Sequence, residues 1–131
     1  MKWGLKPKKK TMQINFPGLS KESILVLAVE TAKNLNWSIQ WINDSGLQAF
    51  TRISSSAGEE ILISAEINCV IISSTSRGFQ LSDRGRNMEN IEVFQNKFVL
   101  LTKMLTPASL QQAYELLRKN NWKLNEELIS R

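Results

Sequence analysis

The chain has 131 residues, 17 of them Lys or Arg and 12 Asp or Glu, with 42% apolar residues. That is the length of one domain, apolar enough for a core and without a run of membrane-spanning length. There is no histidine and only one cysteine, Cys69, which excludes Ser-His-Asp and Cys-His hydrolysis, an internal disulfide and a four-ligand Cys/His zinc site within one chain.

The net charge of +5 sits at one end. Lys2, Lys6, Lys8, Lys9 and Lys10 precede the first acid, Glu22, and residues 11–131 then carry 12 basic and 12 acidic groups. Residues 1–10 read as a flexible basic arm, with Gly4 and Pro7 opposing packing. No apolar core of a signal peptide follows, so the chain reads as cytoplasmic.

Met12, Ile14 and Phe16 alternate with Gln13 and Asn15, which predicts a half-buried strand ended by Pro17-Gly18. Ser20 is a candidate N-cap, with Glu22 in the first turn. Ile24, Leu25, Ala28, Ala32 and Leu35 then share one face of a helix. Four strands follow on short connections. Trp37, Ile39 and Trp41 form the first inward set, closed by the turn residues Asn43 to Gly46. Leu47, Ala49 and Ile53 form the second, and Ile61, Ile63, Ala65 and Ile67 the third. A tight turn is expected at Asn68-Cys69, followed by Val70 and Ile72. Such short connections require an antiparallel meander.

Residues 77–87 form a polar connection. A helix is predicted from about Met88, with Ile91, Phe94, Phe98, Leu101 and Leu105 buried. Thr106-Pro107 starts another helix, carrying Leu110, Tyr114 and Leu117 to Asn120-Asn121. Asn125 to Ile129 suggest one more short turn. The division is an arm over 1–10, an α+β domain over 11–105 and a helical extension over 106–131. The order β-α-β-β-β-β-α implies an antiparallel sheet with helices on one face and resembles the TBP-like topology. Fold alone does not fix function.

Three features are candidate sites. Simple alternation places Ile42, Phe50, Leu62 and Ile71 on the outer sheet face, one per strand, as an apolar stripe facing a protein partner or a second copy. The structural alternative is that residues 107–131 cover it with Leu110, Tyr114, Leu117 and Trp122. In the 77–87 connection, Arg77, Arg84 and Arg86 with Gly85, Asn87 and Asn90 are placed to hold an anion or a partner at a helix start. There the structural alternative is a helix cap with solvated arginines. The five lysines of the arm suit an anionic membrane surface or nucleic acid, each worth about 1 kcal/mol near such a surface.

Signals for catalysis are poor. Glu59 and Glu60 are adjacent on a strand and point to opposite faces. Ser54 to Ser56 have no neighbouring base. No metal, cofactor or phosphate-loop pattern is present.

The segment Asp83-Arg84-Gly85-Arg86-Asn87-Met88-Glu89-Asn90-Ile91 resembles a D-x-G-[K/R]-N-x-x-N-[I/V] signature. It belongs to a small uncharacterised bacterial domain, also found ahead of the membrane spans of some rhomboid-like proteins. Ser20 to Trp37 and Gly58 to Ile61 are similar to the same pattern, so the likeness covers about residues 11–100. The resemblance implies a cytosolic accessory domain with no catalytic residues to carry over. It marks Asp83, Gly85, Asn87 and Asn90 as shared structural or binding residues. The chain departs from the pattern in its helical tail and in having no membrane span. The expected function is a non-enzymatic binding or accessory module, at a membrane surface or on a membrane-protein partner. The alternative is nucleic-acid binding through the arm and residues 77–87.

Overall fold

The computed structural model describes residues 8–51, 58–77 and 85–124. The elements are β1 (Lys9–Asn15), α1 (Lys21–Asn34), β2 (Ser38–Asn43), β3 (Gly46–Phe50), β4 (Glu59–Glu66), β5 (Cys69–Ser76), α2 (Arg86–Met104) and α3 (Pro107–Lys119). The strands form one antiparallel sheet in the order β1-β5-β4-β3-β2. The fold is therefore α+β, as the periodicity predicts. β2 to β5 are a meander, and β1 returns to pair with β5 at the far edge.

Local chemistry sets the boundaries. The Ser20 hydroxyl accepts from the Ser23 N–H at 3.1 Å and starts α1. Thr106 and Ser109 form a reciprocal capping box at α3, with Pro107 just inside the helix. Asn43 Oδ1 accepts from the Ser45 N–H at 2.8 Å, closing the β2–β3 turn. Gly46 follows because a Cβ there would lie 2.0 Å from the Ile63 carbonyl oxygen. The β4–β5 turn is Ile67-Asn68, one residue earlier than expected, with Asn68 left-handed at φ 66°. Cys69 therefore opens β5. Ile67, expected on the core face, sits at the turn and is 70% exposed.

The inner face of the sheet presents Leu47, Ala49, Ile61, Ile63, Ala65, Val70 and Ile72, all buried. α2 contributes Ile91, Phe94, Phe98 and Leu101 against it. Phe98 meets Phe16 at 4.6 Å between ring centroids, and Phe94 stacks on Trp37 at 6.3 Å. α1 spans the route from the β1 edge to the β2 edge. It is buried without interruption from Ile24 to Val29, more than a single amphipathic stripe provides. The reason is its neighbours: α1 touches the sheet, α2 and α3.

Two expectations need correction here. α3 packs on α1, on the helical side of the sheet, so its Leu110 and Leu117 do not cover the outer face. Residues 8–10, expected in a flexible basic arm, are held in the sheet. Lys9 and Lys10 belong to β1, paired with Thr75 and Ser74, and the Lys8 carbonyl accepts from the Ser76 N–H. Lys2 and Lys6 lie outside the described residues, as do Arg84 and the turn expected at 125–129. Among the described residues, no helix is long and apolar enough to cross a membrane.

Candidate interaction surface

The outer face of the sheet carries a different stripe from the one alternation predicts. β2 is bulged between Ile39 and Trp41: Ile39 pairs with Ala49, but Trp41 pairs with Gln48. Gln40 is the extra residue, and the phase of the strand reverses after it. Ile42 then pairs with the buried Leu47 and joins the core, which corrects its assignment to the outer face. Trp41 takes its place outside and is 44% exposed. The spacing Ile39-Gln40-Trp41-Ile42 was the available signal. Turning both isoleucines of one strand, three residues apart, toward the core requires a bulge.

The register fixes the rest of this surface. One row across the sheet reads Trp41, Gln48, Leu62, Ser73 and Thr11. The next reads Asn43, Gly46, Ser64, Ile71 and Gln13. Neither row contains a charged residue. Leu62 is 39% exposed, and Ile71 and Phe50 are half-buried. Between the rows lies a depression of about 300 Å³, lined by Gly46 and Ser64 and edged by Trp41, Leu62 and Ile71. Charges flank the rows. At one end Glu60 accepts from the Gln48 amide, and the Arg77 guanidinium lies 3.9 Å over the Phe50 ring. Lys9 occupies the same end on β1. Glu66 lies at the opposite end.

The signature residues of the second candidate site turn inward. Asn87 is fully buried. Its Oδ1 accepts from the Ser74 hydroxyl at 2.7 Å, and its Nδ2 donates to the Lys8 carbonyl at 3.0 Å and to Ser76 Oγ at 3.3 Å. Asn90 Nδ2 donates to Glu59 Oε1 at 2.8 Å and to Ser74 Oγ at 3.1 Å. Glu59 is 3% exposed and also accepts from the Thr51 hydroxyl. Its Oε2 is 3.2 Å from Arg86 Nε, a charge pair without hydrogen-bond alignment. Gly85 stands before the helix at φ 76°, a conformation that favours glycine.

These groups form a clamp that fastens the start of α2 to β1, β4 and β5. Asn87 and Asn90 are spent inside it, and Arg86 faces a carboxylate. Arg77 projects on the other side of the sheet, over Phe50, so the structure does not bring Arg77, Arg86, Asn87 and Asn90 to one anion-binding cavity. Glu59 went unrecognised as a member. Its signal was the strand phase, which places Glu59 on the same face as Ile61, Ile63 and Ala65. No group of three or more potential metal ligands occurs among the described residues. No family model matches the chain, and no curated protein matches its sequence.

Proposed function

We propose that the protein is a non-catalytic binding module whose working surface is the open face of its sheet. The observation that carries this reading is the position of α3. Helix α3, which would have covered the stripe, packs on α1, leaving Trp41, Leu62, Ile71 and Phe50 on a face that α3 does not cover among the described residues. An apolar patch rimmed by polar groups is the usual form of a protein interface. The lysine-rich first ten residues, with the likeness to a domain found ahead of rhomboid-like membrane spans, fit an accessory role on the cytosolic side of a membrane.

The test is a photo-crosslinking residue at position 62 in the full chain, expressed in cells. A discrete protein adduct that is absent with the crosslinker at the exposed Glu92 is expected. Loss of that difference would sink the reading.

A second reading is single-stranded nucleic-acid binding. It is favoured by Trp41 and the Phe50–Arg77 stack sharing one face, since bases stack on such groups. Glu60 in the row beside Phe50 opposes a phosphate backbone there. A salt-dependent gel shift with single-stranded RNA, lost on Phe50→Ala, would move the assignment to this reading.

A further inference from the structure

We propose that the free edge of β1 is a second docking site, which takes an acidic peptide segment in extended form as a sixth strand of the sheet. It is a different surface from the open face, and the two stand or fall separately.

The two edges of the sheet are not alike. At β2 the strand is bulged, Gln40 turns back to donate to the Ser38 carbonyl, and residues 121–124 line a groove with the strand. Such features blunt an edge. β1 instead pairs with β5 along its whole length without a shift of register. The Lys8 carbonyl accepts from the Ser76 N–H, and the Phe16 N–H donates to the Asn68 carbonyl. These two bonds fix the phase of the ladder. Lys10, Met12 and Ile14 bond to β5, while Lys9, Thr11, Gln13 and Asn15 turn their N–H and C=O groups to the free side. A row of donors and acceptors at strand spacing is matched by another extended backbone.

α2 supplies a wall beside that edge. It packs on β5 and β1 with α1 along one flank, where Leu27 and Thr102 line a common depression. On the opposite flank Val93, Leu100 and Met104 follow one line of the helix and are 37%, 48% and 64% exposed. Every second side chain of an added strand, opposite Lys10, Met12 or Ile14, points to the side of the sheet where this stripe stands.

Charge selects the occupant. Lys8, Lys9 and Lys10 lie at the start of β1, and Lys97 lies beside the stripe on α2. Among the described residues Glu89, one turn before Val93, is the acid on that line of the helix, and Glu92 lies about a quarter-turn off it. A second copy of β1 would bring its own lysines and no acid. A strand with carboxylates among its apolar residues satisfies both the lysines and the stripe.

The test is selection of phage-displayed random peptides on the immobilised full chain, followed by amide hydrogen exchange of the chain with the enriched peptide bound. Peptides with acids around alternating apolar residues are expected, with new protection at the Thr11 and Gln13 amides. Thr11→Pro removes an outward N–H, leaves the bonds to β5 intact and is of a kind that edge strands accept. It should weaken binding roughly tenfold or more. Leu100→Glu on α2 should do the same, and replacing Lys8 and Lys10 with Gln should weaken binding roughly threefold. If Thr11→Pro fails to fold, methylating the backbone nitrogens of the peptide tests the same bonds on the unaltered chain. The proposal is overturned if no peptide is enriched, if the enriched peptides lack acids, or if binding leaves Thr11 and Gln13 exchanging freely. Self-association that protects these amides without peptide would give the edge to a second copy and equally overturn it. Leu100→Glu lies on the helical side of the sheet, so it should leave crosslinking from position 62 unchanged and keep the two surfaces distinguishable.

Discussion

Trp41 and Ile42 are chain neighbours that point to opposite faces, Trp41 to the open side and Ile42 into the core beside Leu47. Gln40 decides which goes where, because one extra residue shifts the phase of everything after it. The two positions should therefore differ sharply in their tolerance of a polar side chain. Ile42→Ser is expected to cost about 2–4 kcal/mol by creating a cavity and burying a hydroxyl. Trp41→Ser should cost less than about 1 kcal/mol. Urea unfolding of both at low protein concentration checks this, and equal losses would reject the bulged register.

The clamp at the start of α2 makes a second prediction. Glu59→Ala removes the acceptor of Asn90 and Thr51 and leaves Arg86 without its carboxylate. Because Arg86 is partly solvated, the loss should fall below that of a fully buried pair, at about 2–4 kcal/mol. Asn87→Ala removes the acceptor of the Ser74 hydroxyl and one of the two donors to the Lys8 carbonyl, and should cost about 1–3 kcal/mol. Chemical denaturation measures both. Near-neutral substitutions would mean that solvent or another group fills the clamp.

Gly46→Ala places a methyl group against backbone that cannot swing aside, since the Ile63 carbonyl is part of the β3–β4 ladder. A loss of about 2 kcal/mol or more is expected, with disturbed amide shifts at Ile63 and Ser64. A shift map confined to residue 46 would show that the two strands are not held this closely.

Tyr114 supplies a pH dependence. Its hydroxyl titrates above the ordinary phenol value, first because of burial and then because Glu22 opposes a second negative charge. The unfolded chain therefore loses this proton at lower pH than the folded one. Stability from this group is complete below the unfolded tyrosine value and declines as pH rises above it. Tyr114→Phe should flatten the alkaline fall in thermal midpoint while preserving the packing against Trp122. An unchanged alkaline profile would assign the fall to other groups.

Much of the fold was legible because local chemistry and global packing agree. The caps at Ser20 and Thr106, the Asn43 turn and the alternation of β4 each name their element without help. What was not legible depended on partners distant in sequence. Alternation has no term for an inserted residue, so Ile42 was assigned to the wrong face. An amphipathic α3 needs an apolar surface, but its sequence does not say whether that surface is a sheet or α1. The asparagines of the signature were visible as a motif. Their role was not, because Asn87 bonds to Lys8, 79 residues away, and Asn90 to a glutamate that local reading treats as a surface charge.

That separation in sequence also sets a timetable for synthesis. The chain is made from its β1 end, yet β1 pairs only with β5, and Lys8 is bound by a side chain 79 residues later. Throughout translation of the meander, the first strand waits unpaired while β2 to β5 can already zip hairpin by hairpin. The domain therefore closes from its second half onto its beginning, and α2 and then α3 complete it. A nascent chain halted before residue 69 holds a half-apolar strand with no ladder to join.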